Sequence, residues 1–161
     1  MWLVGLGNPG VEYRGTRHNT GRDFLDYVRR RYKLPDWMLD KKRRALVTKD
    51  KVKNRPVMLI LPETMMNRSG ESLVGLIKSK KDLENLVVIH DDLDLPLGVG
   101  KISFARGAGG HKGVESVIKK LKTKEFTRLR IGIAATTPSG KIKKPRGEEA
   151  VVDFILGRFR P

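Results

Sequence analysis

Three polar clusters hold the residues able to do chemistry. The first runs from Asn8 to Asn19 and contains Asn8, Tyr13, Arg14, Arg17, His18 and Asn19. His18 is one of only three histidines, and imidazole is the side chain most often used as a base near neutral pH. The second is His90-Asp91-Asp92-Leu93-Asp94, which follows the apolar run Leu86–Ile89. Carboxylates so grouped suit a hard cation such as Mg²⁺. Equally, one of them could orient a histidine supplied from elsewhere, as the aspartate of a triad does, or the group could form an acidic turn before Pro96. The third is Gly107–Gly113 (GAGGHKG), with His111 and Lys112, running into an amphipathic segment. A glycine-rich loop that opens a helix can offer backbone N–H groups to an anion, although the spacing is not that of a P-loop. Pro62-Glu63-Thr64-Met65-Met66-Asn67 forms a fourth, weaker group. Its Asn67 could cap a helix, and the paired methionines would be either core or an adaptable apolar wall beside a ligand.

Gly5, Gly7 and Gly10 satisfy G-x-G-x-x-G after an apolar run. Dinucleotide binding requires a helix to start at the motif and aim its N-terminus at a pyrophosphate. The ten residues that follow, VEYRGTRHNT, have no helical stripe. Asn8-Pro9-Gly10 reads instead as a tight turn.

The elements that must position these groups alternate. Met1–Leu6, Ala45–Thr48, Val57–Leu61, Leu86–His90 and Ile102–Phe104 read as strands. Arg128–Ala134 reads as a half-buried strand, with Leu129, Ile131 and Ile133 inward and Arg128 and Arg130 outward. Thr20-x-x-Asp23 has capping-box spacing ahead of the stripe Phe24, Leu25, Val28 and Tyr32. A second helix is expected from about Ser69 through Leu73, Leu76 and Ile77. Val114, Val117, Ile118 and Leu121 follow i, i+3, i+4, i+7 and give the strongest helical pattern. Thr136–Gly147 is expected to be a mobile loop, and Val151–Leu156 a short final element. Such alternation predicts an α/β class fold: one three-layer α/β/α globule around a twisted mixed β-sheet.

The chain has 161 residues, 34 of them Lys or Arg and 18 Asp or Glu, a formal net charge of +16. Hydrophobic residues make up 39%, enough for one core and too many for a disordered polycation. The absence of cysteine excludes a disulfide scaffold and thiolate metal sites. No apolar run approaches the roughly 20 residues of a membrane span, and MWLVGLG has no signal-peptide pattern. A cytoplasmic domain with a polyanionic partner, most simply nucleic acid, is expected.

LVGLGNPGVEYRGTRHNTG, PETMMNRSG, HDDLDLPLG followed by GAGGHKG, and FTRLRIGI stand in this order along nearly the whole chain. In these blocks the sequence resembles bacterial-type peptidyl-tRNA hydrolases. The resemblance implies a monomer that cleaves the ester between a peptide and the 3′-terminal ribose of tRNA, with no cofactor. By position, His18 corresponds to the catalytic base and Asp91 to the carboxylate that orients it. Asn8 matches the amide beside the scissile carbonyl, Asn67 the asparagine that positions substrate, Met66 the adjoining cleft wall and Tyr13 the aromatic residue of the first block. His111 belongs to the third block, and Lys101 and Arg130 match the region of a clamp for tRNA phosphates, where Ser103 stands in for a frequent second base. A metal is then unnecessary, and Asp92 and Asp94 are expected to be loop residues. The alternative within the same fold is a non-catalytic RNA-binding protein, which would need no such constellation. A metal-dependent nuclease built on Asp91, Asp92 and Asp94 is a third reading.

The sequence departs from the family pattern twice. Lys112 stands where members usually carry asparagine, which suggests a contact with the 3′-terminal phosphate of tRNA. Members also usually continue into a further C-terminal helix, so the single domain, residues 1–161, is expected to stop short of it.

Overall fold

The computed structural model describes residues 1–159. Among these residues a single mixed sheet has the strand order β2-β3-β4-β1-β5-β7-β6, with the short β8 paired to β7. β1 (Trp2–Gly5), β4 (Arg55–Pro62), β5 (Leu86–Pro96) and β7 (Thr127–Thr136) run parallel at its centre. β2 (Met38–Asp40), β3 (Ala45–Val52), β6 (Gly100–Phe104) and β8 (Ile142–Lys143) pair antiparallel. Parallel strands covered on both faces need apolar side chains on both, which accounts for the continuous runs WLVG and LVVI.

One face is covered by α1 (Thr20–Arg31), whose Leu25 packs with Leu59, Leu61 and Ile89. The opposite face is covered by α3 (Lys112–Leu121) and a 3₁₀ segment, Met66–Leu73. There Val114, Val117 and Leu73 pack with Val4, Leu6, Ile60, Val88 and Phe126. α1 lies very close to the sheet, since a Cβ at Gly21 would collide with the Ile89 carbonyl. This contact brings the N-terminal end of α1, and the turn carrying His18 before it, against the end of β5.

Several expectations are corrected. α1 begins with Asn19 in the cap position and no side-chain cap. Thr20 donates to the Arg17 carbonyl rather than forming a capping box with Asp23. The helix expected from Ser69 through Ile77 is a 3₁₀ segment ending at Leu73, followed by a break at Gly75, φ +78°. The short α2 (Lys80–Glu84) follows instead, with a capping box between Ser79 and Asp82. β5 does not stop at His90, and Asp92 and Asp94 belong to the strand rather than a loop. In β7 both faces are covered: Ile133 is buried and Leu129 and Ile131 pack against the core as expected, but Arg128 and Arg130, expected outward, are buried as well. The Thr136–Gly147 loop contains β8, with Thr137 and Lys141 bonded across its turn. α4 (Glu148–Leu156) extends the expected final element.

Candidate active site

The site assembles where the parallel strands end. β1 leads to Asn8, β5 carries His90 to Asp92, and the turn Arg17–Asn19 presents His18. His18 and Asp91 are 73 residues apart in sequence, yet His18 Nδ1 lies 3.0 Å from both carboxylate oxygens of Asp91. His111 Nε2 lies 2.9 Å from Asp91 Oδ1. One buried carboxylate therefore serves two imidazoles, whose ring centres are 4.8 Å apart.

The hydrogen-bond pattern assigns the tautomers. His111 caps α3, and its Nδ1 accepts from the N–H groups of Gly113 and Val114. That nitrogen holds no proton, so Nε2 carries it and donates to Asp91. An ionised Asp91 has only acceptors, so His18 Nδ1 donates to it and His18 Nε2 is left with its lone pair. Burial opposes the charge of Asp91, but the adjacent His111 and the N–H groups of both imidazoles outweigh it. They hold the carboxyl well below the usual carboxylate range.

A third imidazole completes the stack. The His90 ring packs edge-on to His111 with centres 4.7 Å apart. Its Nδ1 donates to the Asp91 carbonyl at 2.7 Å, and its Nε2 faces Arg128 Nη1 at 3.4 Å. Burial, and secondarily the neighbouring His111, lowers the pKa of His90 to about 3. The linkage has a definite sign. Unfolded, His90 takes up its proton near pH 6.5; folded, it does so only near pH 3. Acid in that window therefore favours the unfolded chain. Stability should fall by up to about 1.4 kcal/mol per pH unit as the pH drops from 6.5 towards 3. Urea unfolding at pH 7 and pH 4.5 checks this, and a His90→Gln variant should show a shallower loss over the same interval.

Asn8 is buried and held on three sides. Its Oδ1 accepts from the Met66 N–H at 2.7 Å. Its backbone N–H donates to Asn19 Oδ1, and its carbonyl accepts from Asn19 Nδ2, both at 2.9 Å. With Oδ1 engaged by Met66, the amide NH₂ of Asn8 is the end left for a ligand.

A cleft of about 380 Å³ is lined by His18, Asp91, His111 and Lys112, with Arg106, Arg128, Arg130 and Lys144 as further cations. Leu93, Ala108, Val151 and Ile155 add apolar wall. Asn8 lines a second cavity of about 490 Å³ on the α1 side, together with Asn19, Arg22, Trp37 and Glu63. Tyr13, Met66, Asn67 and Lys101 line neither of these cavities. Met66 is buried against Asn8, Asn67 is exposed beside it, Tyr13 is half-buried, and Lys101 is exposed on β6. Arg130 Nε is committed to Asp92 at 2.6 Å, which, despite partial burial, holds that carboxyl below its ordinary range. Lys112 is exposed and pairs with Glu115 at 3.4 Å. Sequence reasoning placed His90 and Asn19 in the polar clusters without giving either a role, and it read Arg128 as outward-facing; the partners that make them supports, His111, Asn8 and Gly107, are distant in sequence.

A family model described as peptidyl-tRNA hydrolase matches residues 2–161. The chain belongs to the peptidyl-tRNA hydrolase family. The peptidyl-tRNA hydrolase of Halalkalibacterium halodurans is 40% identical over 160 residues, covering 99% of this chain and 80% of that protein. That of Thermosynechococcus vestitus is 40% identical and covers 98% and 75%. The crystal structure of the peptidyl-tRNA hydrolase from Acinetobacter baumannii superimposes with a TM-score of 0.86 at 34% identity, covering 99% and 76%. The mixed α/β fold expected from the sequence is that of these peptidyl-tRNA hydrolases. Among the described residues, no helix is long and apolar enough to cross a membrane.

Proposed function

We propose that this chain hydrolyses the ester joining a peptide to the 3′-terminal ribose of tRNA, using a water activated by His18. The observation that carries this reading is the His18–Asp91 contact, which leaves His18 Nε2 as a lone-pair acceptor at the cleft. His18 Nε2 accepts a proton as the water oxygen attacks the ester carbonyl. Asp91 keeps the imidazole in the required tautomer and stabilises the imidazolium. The Asn8 NH₂ stabilises the developing oxyanion, where one lost donor typically costs about 10²–10³ in rate. The ribose oxygen leaves as the carbonyl reforms, and the imidazolium returns the proton to it. An ester is activated enough for this route to need no covalent intermediate.

His18, Asp91 and His111 also form the one cluster among the described residues with metal-ligand spacing. The tautomers argue for hydrogen bonding there instead. A metal on His111 Nε2 would displace the proton, which the capping role of Nδ1 leaves nowhere else to sit. The proposed route calls on no metal. Release of the blocked amino acid from N-acetyl-aminoacyl-tRNA should be indifferent to EDTA. Loss of activity in EDTA, restored by added Mg²⁺ or Zn²⁺, would overturn the metal-free reading.

Met66 bonds to Asn8, and on this reading it, Asn67 and Tyr13 serve the acyl part of the substrate, while Lys101, Arg130, Lys112 and His111 serve the 3′ end of the tRNA. Phosphate contacts carry no sequence information, as an enzyme accepting many tRNAs requires. A cation in the first turn of a helix opposes the helix dipole, a cost that a contact with the 3′-terminal phosphate would offset at Lys112. Lys112→Asn should reduce the salt slope of tRNA binding by roughly 0.7–0.9, read from affinities across a salt series. The chain acts as a cytoplasmic monomer on this reading.

A further inference from the structure

His18 stands on a single 3₁₀ turn, and the residue before it is anchored to the opposite end of the chain. The Arg17 guanidinium carbon lies 4.3 Å from the ring centre of Phe154 and 5.4 Å from that of Phe159. Arg17 Nη1 donates to the Phe154 carbonyl at 3.1 Å, and its backbone N–H donates to the Gly157 carbonyl at 3.1 Å. Thr16 bridges to Arg158, and the Phe159 N–H reaches the Gly15 carbonyl. The fit is close, since a Cβ at Gly157 would stand 2.9 Å from Arg17 Nη1. The same helix, α4, supplies Val151 and Ile155 to the cleft.

We infer that Arg17 is a positioning residue. It locks α4 to the turn Thr16–His18, so that the helix walling the cleft and the base facing it are held as one unit. The planar fork of Arg17 hydrogen-bonds a carbonyl while its face packs against phenyl rings, a combination that lysine cannot reproduce. Loosening the turn leaves His18 bonded to Asp91 but free to vary its aim, and a misplacement of about 1 Å can cost as much as 10²-fold in rate.

This inference rests on His18 acting as the base, so His18→Asn is measured in parallel on N-acetyl-aminoacyl-tRNA. Arg17→Lys and Phe154→Leu should each lower kcat by roughly 10- to 100-fold, with KM within about twofold and the far-UV spectrum unchanged. Arg17→Ala should regain part of its kcat on addition of methylguanidinium at non-denaturing concentration. A wild-type kcat in both Arg17→Lys and Phe154→Leu would overturn the positioning role, as would a loss confined to KM. Should Arg17→Ala fail to fold, those two variants still decide the matter. If His18→Asn retains full activity, the base assignment itself falls. If it is inactive while Arg17→Lys is wild-type, only the positioning inference falls.

Discussion

A His18→Asn protein should fold, bind tRNA with unchanged affinity, and cleave the ester roughly 10⁴-fold more slowly than wild type. The reason lies in which nitrogen is free. His18 Nδ1 is engaged with Asp91 at 3.0 Å to each oxygen, and only Nε2 remains to take a proton from water. Asparagine preserves the short reach to Asp91 and can donate to it, but offers no basic nitrogen beyond. The cations proposed to meet the phosphates, Lys101, Lys112 and Arg130, are untouched, so binding and chemistry should separate. Affinity from filter binding and ester cleavage on the same preparation check both halves.

Asp91→Asn should cost about 10³–10⁴-fold, for a reason specific to this site. The carboxylate accepts from two imidazoles. Asparagine has one acceptor oxygen and one donor NH₂, so one histidine must change its tautomer. His111 cannot, because its Nδ1 is committed to two N–H groups at the start of α3. His18 therefore turns its bare Nδ1 towards the new NH₂ and moves its proton to Nε2, where it can no longer act as base. A His111→Ala change in the Asp91→Asn background removes the competing donor, frees the surviving oxygen for His18 and should restore part of the rate. No recovery in the double variant would count against this competition.

The sequence made the ends of the parallel strands legible as a site because polar clusters interrupt apolar runs at Asn8, His90 and Gly107. The resemblance of the blocks around them also singled out His18 and Asp91, which the fold brings within hydrogen-bond reach. The local pattern failed where long-range partners neutralise polar residues. Asp91-Asp92-Leu93-Asp94 looks like a turn, yet β5 continues through it because Asp91 meets two imidazoles and Asp92 meets Arg130. The alternation in β7 placed Arg128 and Arg130 towards solvent. They are buried because Gly107, His90 and Asp92 satisfy them from segments 21 to 38 residues away. A period-2 pattern cannot anticipate such pairs. The stripe through Leu73, Leu76 and Ile77 failed for a local reason, the positive φ of Gly75.

On the proposed mechanism, the charge of +16 and the chemistry occupy different residues. Cations ring the cleft at Arg106, Lys112, Arg130 and Lys144, whereas the proposed reacting centre is one carboxylate, one imidazole and one amide. High salt should therefore weaken binding of tRNA far more than it slows turnover of the bound complex.

Whether His18 acts as a base on water or as a nucleophile is decided by a single turnover with enzyme in excess over N-acetyl-aminoacyl-tRNA. The reaction is run in ¹⁸O-water, quenched at successive times and read by mass spectrometry. Attack by an activated water predicts one ¹⁸O in the released carboxylate, an intact tRNA chain, and no acylated protein at any time. An acyl group carried on His18 or another side chain before release, or a protein that binds the tRNA and never cleaves the ester, would contradict it.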